Sequence, residues 1–127
     1  MESKTYAVKI TIVKTQFYPD LVADVDLSVK DNESFGPCPF FNVGDVMLVR
    51  NIDHLPDGFK CLWAWADIER DIALILYGGQ PQPLLTNPHS MYSCCDEGLR
   101  PVIFKLERVL LDEEIGEGTI QIADHVT

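Results

Sequence analysis

The chain predicts an α+β domain, a small antiparallel sheet packed on one main amphipathic helix at about residues 59–77. Three observations carry this. Cys61, Trp65, Ile68, Ile72 and Ile75 recur at intervals of four and three, the spacing of one helical face, while Asp67, Arg70 and Asp71 occupy another. Residues 6–14, 46–50 and 101–110 are apolar and β-branched, and the first and last alternate with period two, which suits strands. The segments between them are broken by proline, glycine and aspartate.

In order, Tyr6 to Lys14 reads as a strand with Val8, Ile10 and Ile12 on one side and Lys9, Thr11 and Val13 on the other. Phe17-Tyr18-Pro19-Asp20 ends it, and Leu21 to Leu27 fits either a short helix or an irregular strand. Lys30 to Ser34 is a polar connection. Pro37 and Pro39 flank Cys38, fixing φ and removing backbone donors, so this thiol sits in a stiff irregular turn. Val46 to Arg50 forms a second strand, and Leu55-Pro56-Asp57-Gly58 turns the chain into the helix, with Asp57 placed to cap it. Gly78 and Gly79 supply the stop.

Gln80 to Ser90 holds three prolines and no periodicity, so it is expected to be an extended surface loop. Met91 to Cys95 begins as a short strand, and Pro101 to Leu110 is the last clear one. Residues 1–111 therefore read as a single compact domain. Residues 112–127 read as an acidic C-terminal tail in which Thr119 to Ile122 could add an edge strand.

Composition narrows the function classes. Twenty acidic against ten basic residues give a formal charge of -10, which argues against nucleic acid, because phosphate backbones are held mainly by Lys and Arg. It also disfavours an anionic membrane surface. The N-terminus runs straight into a strand pattern instead of an apolar leader, and the helix carries Asp67, Glu69, Arg70 and Asp71, so neither reads as a targeting or spanning segment. The expectation is a cytoplasmic protein whose four cysteines are thiols or ligands in preference to structural disulfides.

Cys38, Cys61, Cys94 and Cys95 all fall at the ends of expected elements, where distant segments can meet at one rim of a sheet. Convergent thiolates suit Zn²⁺ or an iron–sulfur cluster. Cys61, at the helix start, is best placed for ionisation by unpaired N–H groups and the helix dipole. The spacing matches no standard zinc or ferredoxin motif, and adjacent Cys94 and Cys95 point apart if extended. A vicinal disulfide between them would be strained and easily reduced.

The competing reading is that cysteine packs as a small hydrophobe and that Cys61 is only part of the core stripe. Trp65 belongs to that core, whereas Trp63 faces elsewhere, lining a pocket or covering the helix flank. Of His54, His89 and His125, all expected in solvated loops or the tail, His54 lies nearest the helix start and is the one candidate ligand. Asp67 and Asp71 could serve a cation, but Arg70 beside them suggests a solvated face, and Asp96 could pair with Arg100.

Several stretches resemble a small uncharacterised family of prokaryotic proteins, most of them from anaerobes. The matching residues are Ile10 to Asp20, Gly36-Pro-Cys-Pro-Phe-Phe-Asn-Val-Gly-Asp45, Phe59-Lys-Cys-Leu-Trp-Ala-Trp-Ala-Asp-Ile68, Tyr77-Gly-Gly79 and Cys94 to Arg108. The resemblance implies a cysteine pattern met by Cys38, Cys61 and Cys94, with Cys95 in one branch. Relatives often place the aromatic residue directly before the second cysteine, whereas Lys60 intervenes here. No activity comes with the resemblance, although an anaerobic setting suits oxygen-sensitive clusters.

Three functional expectations follow. The first is a metal or iron–sulfur site on Cys38, Cys61, Cys94 and Cys95, with His54 as a further ligand and an accessory or redox role. The second is a non-catalytic binding module that associates with itself or a protein partner through exposed strand edges. The third is a thiol enzyme with Cys61 as nucleophile and His54 nearby.

Overall fold

A computed structural model describes residues 5–23, 35–111 and 120–122 of the chain. Elements run β1 (Thr5–Thr15), α1 (Pro19–Ala23), β2 (Val46–Val49), α2 (Leu62–Leu76), β3 (Ser90–Cys94), β4 (Val102–Leu111) and β5 (Ile120–Ile122). The expected α+β class is what the molecule shows. All strand pairings are antiparallel in the order β2-β1-β4-β3, with β5 also on β4. Because β1 pairs along the whole of β4, β3 and β5 follow one another on the opposite edge, at residues 103–107 and 109–111 of β4.

Alternation decides which face is covered. Val8, Ile10 and Ile12 of β1 lie opposite Arg108, Leu106 and Phe104 of β4, and the apolar members of this set are fully buried beneath α2. The helix contributes Ala64, Trp65, Ile68, Ile72 and Ile75 to the same core. Each of its three fully buried isoleucines stabilises the packing by about 1.5–3 kcal/mol through apolar burial. On the other face Ala7, Val109 and Leu111 form a smaller cluster.

The helix begins at Leu62, later than the start expected at about residue 59. Phe59 lies in the preceding turn, its N–H on the Pro56 carbonyl at 3.2 Å. Its ring is held by aromatic contacts instead, edge-on to Phe41 and Trp65 and stacked on Phe104 at centroid distances of 5.1, 5.5 and 5.8 Å. Cys61, not Asp57, is the N-cap, with extended φ -133 and ψ 111. At the other end Gly78 takes φ +94, the left-handed turn predicted there.

The loop before β3 also differs from expectation. His89 is 5% exposed and not solvated, because its Nδ1 lies 3.0 Å from the Gly79 carbonyl. A carbonyl only accepts, so Nδ1 carries the proton and ties the loop to the helix terminus. The rest of the Leu21–Leu27 stretch beyond Ala23, the 30–34 connection, His125 and residues 112–119 of the tail lie outside the described residues. No helix among the described residues is long and apolar enough to cross a membrane.

Candidate functional site

Three of the four cysteines line one cleft of about 480 Å³ beside the opening turn of α2. They arrive from separate segments. Cys38 comes from the proline-flanked turn, which the neighbouring buried Phe41 anchors in the aromatic core. Cys61 caps the helix, and Cys95 follows the last residue of β3. All three are half-buried and pack against the main core.

Two of these sulfurs accept backbone hydrogen bonds. The Ala64 N–H donates to Cys61 Sγ at 3.4 Å, filling one of the donors that a helix start leaves open. The Val102 N–H donates to Cys95 Sγ at 3.3 Å, while the Cys95 N–H donates to the Val102 carbonyl at 3.3 Å. That reciprocal pair closes the turn between β3 and β4 and fixes where the Cys95 sulfur sits.

Cys94 is placed differently. Its partner in the β3–β4 ladder is Ile103, whereas Ser93 opposite Phe104 is on the helix side, so alternation turns Cys94 to the far face. It is exposed, does not line the cleft, and its thiol donates to the Cys95 carbonyl at 3.0 Å. Partial burial, then the neighbouring Cys95 and Asp67, push this thiol above its ordinary value, so it is neutral at physiological pH. The four thiols are free. Among the described residues no three His, Cys, Asp or Glu side chains stand close enough together to hold a metal ion as they are.

The remaining predicted residues divide. His54 is exposed and lines a different hollow, formed with Leu48 to Asn51 and Leu55 to Asp57. Asp67 and Asp71 are not a solvated pair. Asp67 accepts the Asp96 N–H at 2.9 Å and Asp71 accepts the Ser93 hydroxyl at 3.0 Å, so both clasp the helix to the end of β3. Arg100 makes no ion pair with Asp96; its guanidinium lies 4.6 Å over the Phe35 ring.

Trp65 is buried as expected, and Trp63 is 84% exposed on the cleft. Sequence reasoning missed Phe40 and Arg100 as cleft residues, although Phe40 follows Cys38 by two and so shares its turn. The arrangement offers three soft sulfur donors in a pocket with aromatic walls, of a size usual for small ligands. Comparison with family models, with curated proteins and with solved structures finds no match for this chain.

Proposed function

We propose that Cys38, Cys61 and Cys95 take up a soft metal ion or an iron–sulfur cluster, and that the protein serves a redox or accessory role through that site. One observation carries the reading: thiols from three separated segments share one cleft, next to a helix start. The backbone N–H donors on Cys61 and Cys95 add support, since such donors tune metal-bound and cluster sulfurs. To hold the ion the three thiols would have to draw closer together, a change that would accompany binding where coordination and local ordering are coupled. A reducing cytoplasm suits four free thiols.

Three sulfurs leave a coordination position open, which in zinc proteins distinguishes reactive sites from closed structural ones. Cys94 is the spare thiol. The rival reading, a binding module whose cysteines only pack, draws on the contact of Cys38, Cys61 and Cys95 with the core.

Anaerobic purification and reconstitution separate the two. Visible absorbance with metal and sulfide analysis is expected to reveal bound zinc or a cluster that Cys38→Ser, Cys61→Ser and Cys95→Ser each abolish and Cys94→Ser retains. A colourless, metal-free protein after reconstitution, with thiols that react slowly until unfolding, would establish the packing module instead.

A further inference from the structure

The mouth of the cleft carries a surface that folding does not use. Trp63 is 84% exposed and Phe40 48%, and both line the cleft. Trp63 stands in the first turn of α2 facing water, while Trp65, two residues on, is buried. Aromatic side chains left open beside a concavity are the residues that most often anchor a partner, because a large apolar area is removed from water at small entropic cost.

The charge around them is predominantly negative, three carboxylates against one guanidinium among the described lining residues. Asp67, Asp96 and Glu97 also line the cleft. The Asp96 N–H holds Asp67 at 2.9 Å, and the Leu99 N–H holds Glu97 Oε1 at 3.1 Å, so two of the carboxylates are fixed in position. Arg100, the one cation among the described lining residues, is engaged with the Phe35 ring. A chain of formal charge -10 adds a field of the same sign. A second copy would bring acid against acid, and a nucleic acid would meet the same repulsion.

We propose that this mouth docks a basic segment of a partner protein. The segment seats an apolar side chain against Trp63 and Phe40 and sets flanking lysines or arginines against Asp96 and Glu97. Opposite charge speeds the encounter and makes it salt-sensitive, and a lysine or arginine over the Trp63 ring adds a cation–π contact. The inference does not depend on a metal being bound.

The test uses the full ¹⁵N-labelled chain and two short synthetic peptides, Leu-Phe flanked by lysines and Leu-Phe flanked by glutamates. The lysine peptide is expected to shift the signals of Trp63, Phe40 and Glu97, to bind roughly tenfold more tightly than the glutamate peptide, and to weaken as salt is raised. Trp63→Ala, a change at an exposed site, should cut that binding about tenfold with the spectrum of the core unchanged. Asp96→Asn with Glu97→Gln should remove most of the salt dependence. No shift at the cleft, or an equal response to both peptides, overturns the proposal. So does a dimer in sedimentation that Trp63→Ala disperses, which would assign this face to a second copy.

Discussion

At Cys61 one sulfur both lines the cleft and caps a helix, and a pair of substitutions separates those roles. Serine is among the best N-caps and alanine among the poorest. Cys61→Ser is therefore expected to keep the wild-type urea midpoint, while Cys61→Ala loses about 0.5–1 kcal/mol; equal losses would show that capping is not what the residue contributes. Cys94 gives a pH signature. Its thiol is neutral in both states below its unfolded value of 9.0, and above it the unfolded chain ionises first because the folded value is raised. Stability is thus fully present below about pH 9 and declines as pH rises towards the folded value, and Cys94→Ser should flatten that decline in denaturant melts at rising pH. That adjacent cysteines point apart was legible from period two alone. Which of them meets the helix was not, because it depends on how β3 registers against β4.

The helix face was legible because burial imposes its period directly on α2. Its start was not, since Phe59 is a large apolar residue that belongs instead to a turn held by ring contacts with Phe41 and Phe104. Asp67 and Asp71 were misread for a related reason: their partners lie 29 and 22 residues away, beyond any local pattern. The paired glycines at the helix end act by different means. Gly78 is needed for its φ of +94, and alanine there should cost about 1 kcal/mol. Gly79 is needed for space, since a Cβ would lie 2.7 Å from the Leu74 carbonyl oxygen, backbone that cannot swing aside. Gly79→Ala also disturbs the carbonyl that His89 holds, so thermal unfolding is expected to show a larger loss for it than for Gly78→Ala.

Across the molecule, alternation and turn residues located the strands, but their order and the meeting of Cys38, Cys61 and Cys95 are products of topology. No spacing encodes them, because the three thiols approach through β3's end, a helix start and a loop that only the folded sheet brings together. The same topology governs the margins of the sheet. Among the described residues β4 carries neighbours on both sides, β1 carries β2 over residues 8–11, and the outer strands β2, β3 and β5 have four, five and three residues. A stray chain seeking backbone partners finds little length to grip on any of them, so the sheet is poorly suited to templating fibrils even though its centre is rich in valine and isoleucine.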